Sequence, residues 1–200
     1  MGALMSVASD YEWPRPPEGG WTAEDLDRLP NLPPHTELID GSLVFISPQT
    51  DFHYLAIRLL EFRLLQAVPP ELDIRCEMTV TLGRHNRPEP DVMVIRKQAV
   101  DGPRRTTFAP EDVLLAIEVV SAESVERDRM YKPLKYAQAG IPSYWRVESD
   151  GGKPVVYTFA LEPASGCYVP VGIFHDTLTV SVPFPVSLDL ADIDKNPFQP

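Results

Sequence analysis

Cysteine is nearly missing from this chain: Cys76 and Cys167 are the only two in 200 residues. They stand far apart, with no C-x-x-C pair and no nearby histidine cluster. That spacing excludes zinc-ribbon and thioredoxin-type readings. Both are read as reduced, buried thiols of a cytoplasmic protein. Long apolar runs are absent too. None reaches the roughly 18 residues that a membrane-spanning helix needs. The opening MGALMSVASDYEW has neither a basic leader nor a sustained apolar stretch, which argues against a secretory signal. Basic residues are scarce: 18 Lys and Arg face 29 Asp and Glu, for a net charge of −11. A chain so acidic is an awkward partner for a polyanion. Glycine-rich phosphate loops, helix-turn-helix patterns and zinc motifs are also missing, so no motif announces sequence-specific recognition.

What the chain has in excess is proline, 22 residues gathered at the N-terminus, around 30–34 and near the C-terminus. This predicts rigid loops and loose ends: a disordered tail over 1–20, one domain over 21–193, and a loose tail over 194–200. Charge is uneven along the domain. Residues 75–135 hold 11 of the 18 Lys and Arg against 10 acids, so the acidity lies elsewhere. The middle of the chain is thus the face open to a polyanion.

Periodicity and punctuation predict the elements. Residues 22–30 (TAEDLDRLP) form a short helix capped by Thr22 and stopped by Pro30. Residues 36–47 form a hairpin turning at Asp40-Gly41. Residues 51–68 form the clearest helix, with Leu55, Leu59, Phe62 and Leu65 on its buried stripe and Pro69-Pro70 as its stop. Strands follow at 73–82, 90–96 and 112–121, then a helix over 125–139 in which Pro133 forces a kink or a new start. Gly140 and Pro142 end it. Further strands cover 143–148, 154–161, 167–174 and 177–183. The fold class is α/β: a mixed sheet flanked by helices, with an N-terminal helix and hairpin and extra C-terminal strands.

The chemistry starts from LLAIEVVS (114–121), a buried-strand pattern interrupted by Glu118. An unpaired buried carboxylate costs several kcal/mol or takes up a proton. Asp91 opens the preceding apolar strand, and if the two strands pair, the two acids converge. A divalent cation such as magnesium or manganese relieves both the burial and the repulsion, so a metal is the expected partner of Glu118. Asp128, Lys132 and Tyr136 share one helix face just downstream, which lets Lys132 point back at the carboxylates.

These pieces resemble the PD-(D/E)XK nuclease motif, and more specifically the Uma-two family of restriction-endonuclease-like proteins. The resemblance lies in ELIDGSLV (37–44), Ser47-Pro48 with His53, PEPDVMVI (88–95), AIEVVS (116–121) and DRMYKPLKYAQAGIPSYWRVE (128–148), and it spans roughly 21–190. It implies a restriction-endonuclease-like core and magnesium-dependent hydrolysis of DNA phosphodiesters. Asp91 and Glu118 would be metal ligands, with the Val119 backbone carbonyl as a third. It also implies a homodimer. The chain departs from the wider motif at position 120, where valine stands in place of the lysine. Lys132, on the following helix, is the residue that carries the role over, with Lys135 in reserve. Glu37 and His53 are supporting candidates.

Plainer readings stand beside these. Lys132 with Asp128 makes an ordinary i, i+4 ion pair. Tyr136, Tyr144 and Trp145 suit core packing. Arg84, Arg87, Arg104 and Arg105 suit a solvated surface.

Overall fold

The computed structural model describes residues 15–195. Its elements in chain order are α1 (Ala23–Leu26), β1 (Thr36–Ile39), β2 (Ser42–Phe45), α2 (Asp51–Ala67), β3 (Leu72–Cys76), β4 (Thr79–Val80), β5 (Val92–Arg96), β6 (Thr107–Phe108) and β7 (Val113–Val119). A π turn over Arg127–Tyr131 then leads into α3 (Lys132–Gln138). Strands β8 (Ser143–Asp150), β9 (Lys153–Glu162), β10 (Cys167–Phe174), β11 (Thr177–Val180) and β12 (Val186–Asp189) complete the chain, before a closing 3₁₀ turn over Leu190–Asp194.

Six strands form the central sheet in the order β10-β9-β8-β7-β5-β3. Only β7 and β8 run parallel, joined by the crossover through α3; the other neighbours are antiparallel. Side chains alternate across the sheet, so each face has its own core. Val92, Val94, Leu115, Ile117 and Trp145 pack against Ala56, Leu59, Leu60 and Leu64 of α2 and against the β11–β12 hairpin. Met93, Ile95, Ala116 and Tyr144 pack on the other face against Tyr136, Ile141, Val80 and Phe108. By alternation Glu118 falls on that second face, toward α3.

The first hairpin has the expected two-residue loop. Ile39 pairs with Ser42, and Asp40 and Gly41 both take positive φ, 48° and 77°. This mirror-image turn suits the strand twist. Gly41 is also pressed against Gly20: a Cβ there would lie 3.2 Å from the Gly20 Cα. Residues 15–20, expected within a tail, therefore include a turn seated on the hairpin, with the Gly20 N–H donating to the Pro17 carbonyl. The rest of the expected tails, 1–14 and 196–200, lies outside the described residues.

Several expectations need correction. The strand expected over 73–82 breaks at Glu77, whose φ is +50°, and β4 leaves to pair with β6 in a separate small sheet. The strand expected over 177–183 ends at Val180, and its partner β12 was not foreseen. The buried stripe of α2 runs through His53, Ala56, Leu59, Leu60 and Leu64, while Leu65 is exposed. The helix is apolar on too many sides for spacing alone to choose. Cys167 is exposed, not buried, because it starts the edge strand β10. Arg87 is buried and structural: it donates to Thr79 Oγ1, the Ala23 carbonyl and Asp27.

Pro133 stands in the first turn of α3, the new start expected of it, but no break precedes it. The chain widens into a π turn, in which the Lys132 N–H donates to the Arg127 carbonyl. The extra residue in that turn absorbs the amide that proline lacks. Lys132 keeps helical angles, φ −60° and ψ −48°, against the usual preference of a residue preceding proline.

Candidate active site

The register that pairs Val92 with Ile117 sets Asp91 opposite Glu118 as the next pair. Both stand at the end of the sheet where β7 hands the chain to the crossover, the usual place for a site beside parallel strands. Asp91 is fixed twice. Its Oδ2 accepts from the Val119 N–H at 2.5 Å, and its Oδ1 lies 3.2 Å from His53 Nε2 on the first turn of α2.

Glu118 is 1% exposed, and both its oxygens find partners within the protein. Lys132 Nζ lies 2.8 Å from Oε2, and the Tyr136 hydroxyl donates to Oε1 at 2.6 Å. Lys132 is shared among acids: it also lies 2.8 Å from Glu37 Oε1 and 3.6 Å from Asp128 Oδ1. Glu37, on β1, additionally accepts from the Glu89 N–H at 2.8 Å. Three buried carboxylates thus surround one buried ammonium, and Asp91 adds a fourth nearby.

Burial works against ionising Lys132, but Glu118, Glu37, Asp128 and Asp91 outweigh it and hold the amine's pKa well above its ordinary value. Burial pushes the Glu118 carboxyl well up, and Lys132 offsets this only in part. Asp128 is raised as well, chiefly by burial. His53 is raised although burial opposes it, because Asp91 and the Val119 backbone hydrogen-bond to it.

The cluster opens into a cleft of about 440 Å³. Six carboxylates line it: Glu37, Glu77, Glu89, Asp91, Glu118 and Asp128. The loops flanking the first hairpin line it with His35 and Gln49, and the start of the crossover with Ser121, Ser124 and Arg127.

The structure therefore brings together Asp91, Glu118, Lys132, Glu37, His53 and the Val119 backbone. Lys135 is separate: it reaches Asp40 of the hairpin turn at 2.5 Å and does not line the cleft. Asp128 was read only as the helical partner of Lys132, and its burial at 1% exposure was missed. The hydroxyl of Tyr136 was missed as well, since a buried tyrosine looks like packing until its partner is seen. Glu89 was legible in principle, standing two residues before Asp91 on the same side of an extended chain.

The donor set suits magnesium. Glu37 Oε2 and Asp128 Oδ1 are buried without a hydrogen-bond partner. All the carboxylate donors are hard oxygens, and they outnumber the ammonium. Among the described residues, no three His, Cys, Asp or Glu side chains already form a cage.

A family model described as "Putative restriction endonuclease", Uma2, matches residues 23–192. The chain belongs to the Uma2 family. A crystal structure described as a putative nuclease belonging to DUF820, from Anabaena variabilis, aligns with a TM-score of 0.69 at 18% identity. The alignment covers 86% of this chain and 96% of that one. Identity so low carries the fold, and the fold of this Uma2 member is the α/β restriction-endonuclease-like core. No curated protein matches the chain. No helix among the described residues of this Uma2 chain is long and apolar enough to cross a membrane.

Proposed function

We propose that this protein is a magnesium- or manganese-dependent endonuclease that hydrolyses DNA phosphodiester bonds. The observation that carries the reading is the meeting of Asp91, Glu118 and Lys132 at one sheet end, inside a cleft. Asp91 and Glu118 would hold the cation, with the Val119 carbonyl beside them. When bound there, a divalent cation supplies Lewis-acid polarisation of the phosphate and a more acidic water.

The chain's own residues have separate tasks. The Val119 N–H and His53 hold Asp91 at the cleft. Tyr136 fixes the rotamer of Glu118. Lys132, kept charged by its carboxylates, places an ammonium where it can orient a water and stabilise charge developing on the phosphate. Valine at position 120 does not remove this function, because the crossover helix brings the lysine to the same carboxylate from another direction.

A second reading has its own support. Glu118 is fully paired by Lys132 and Tyr136, as in a self-satisfied ion cluster. On this reading the protein is a catalytically inert, homodimeric binding module. Nicking of supercoiled plasmid in magnesium or manganese separates the two. The nuclease reading expects cleavage by the wild type and a loss of at least about 100-fold in Asp91→Asn and Lys132→Met, the scale for removing one preorganised charge. Wild type that fails to cut with either ion, or variants that cut equally well, would favour the inert module.

A further inference from the structure

A phosphodiester entering this cleft meets six carboxylates, and the ammonium of Lys132 is already shared among three of them. A cation besides Lys132 and the proposed metal would favour entry of the backbone anion. Arg127 is the only arginine lining the cleft among the described residues. It forms no ion pair there. One hydrogen bond, from Nη1 to the Glu123 carbonyl at 3.3 Å, anchors its guanidinium. Its Nε is buried and has no acceptor. A buried donor without a partner is unfavourable, so the guanidinium is held with hydrogen-bonding capacity to spare. The guanidinium fork also matches phosphate geometry better than an ammonium does.

The π turn explains how Arg127 comes to be there. In an α-helix, residues five apart point about 140° away from each other. Across the π turn the Lys132 N–H bonds to the Arg127 carbonyl, which stacks the two residues on the same side. Such one-residue insertions recur at functional sites. Here the insertion delivers a cation to the cleft without moving Lys132 off Glu118.

We infer that Arg127 is the phosphate-binding residue of the cleft, presented by the π turn to grip the DNA backbone beside the carboxylate cluster. The inference rests on the phosphodiester reading above. Its test is anisotropy of a short labelled duplex titrated with the full chain over a range of salt, with calcium replacing magnesium to hold back cleavage. Arg127→Gln is expected to raise Kd about tenfold and to flatten the slope of log Kd against log salt by about 1. Arg127→Lys should keep the slope and part of the affinity. Melting curves of both variants report whether the fold is kept. An unchanged slope in Arg127→Gln overturns the inference, even if affinity falls, because a structural role does not change the number of phosphates neutralised. If the wild type nicks plasmid while that slope is unchanged, only this inference fails. A wild type that neither nicks nor binds duplex at low salt removes both readings.

Discussion

Lys132 sits at the centre of the buried charge cluster. It is 5% exposed and touches Glu37 and Glu118 at 2.8 Å each. Removing it leaves buried carboxylates uncompensated, so metal-free Lys132→Met is expected to lose about 3–5 kcal/mol in urea unfolding. Tyr136→Phe removes one hydrogen bond to a charged group and should cost about 1.5–3 kcal/mol. Equal losses in the two variants would show that the lysine is not the hub. The thiols give a second check. Burial, with Glu61 nearby, pushes the Cys76 thiol far up, so it stays unionised and inert at neutral pH. Cys167 is exposed. A thiol reagent should modify Cys167 in the folded protein and Cys76 only after unfolding. Glu118 was legible because a charge interrupts an apolar run, and Asp91 because it opens the neighbouring one. Asp128 was not, since nothing in one sequence distinguishes a buried acid on a helix from a solvated one.

At the scale of elements, the local signals that held were those with a steric cause. Asp40-Gly41 dictated the hairpin turn, and Gly140 with Pro142 ended the crossover helix. The failures came where tertiary contacts override the pattern. Residues 73–82 read as one strand because apolar residues continue through the break, yet Glu77 bends out and Val80 turns to pack on Phe108 in a second sheet. The π turn was foreseen only as a disturbance at Pro133, because sequence marks the missing amide and not the way the chain absorbs it. The hairpin offers a test at this scale. Gly41→Ala must keep a positive φ while its Cβ meets Gly20, so it should cost about 1–3 kcal/mol. A variant as stable as the wild type would mean that the Gly20–Gly41 contact yields easily.

At the scale of the molecule, the restriction-endonuclease-like fold was legible from the order of motifs along the chain. The strand order and the small β4–β6 sheet were not, since pairing between distant segments leaves no mark in a single sequence. The net charge of −11 also takes on a spatial meaning. Carboxylates crowd the cleft, a distribution that disfavours a bare polyanion there and favours cations. Magnesium should therefore stabilise the folded state, by about 2.7 kcal/mol at a hundredfold excess over Kd. Asp91→Asn should lose most of that gain, as thermal melts with and without the ion would show; an equal gain in the variant would place the ion elsewhere.

Asp91 and Glu118 are the proposed divalent-cation seat. It is tested most directly by a crystal grown with manganese and measured at a wavelength where manganese scatters anomalously. An anomalous peak bonded to oxygens of both carboxylates is expected. A well-ordered cleft with no peak, or a peak bound only by other side chains, would contradict it.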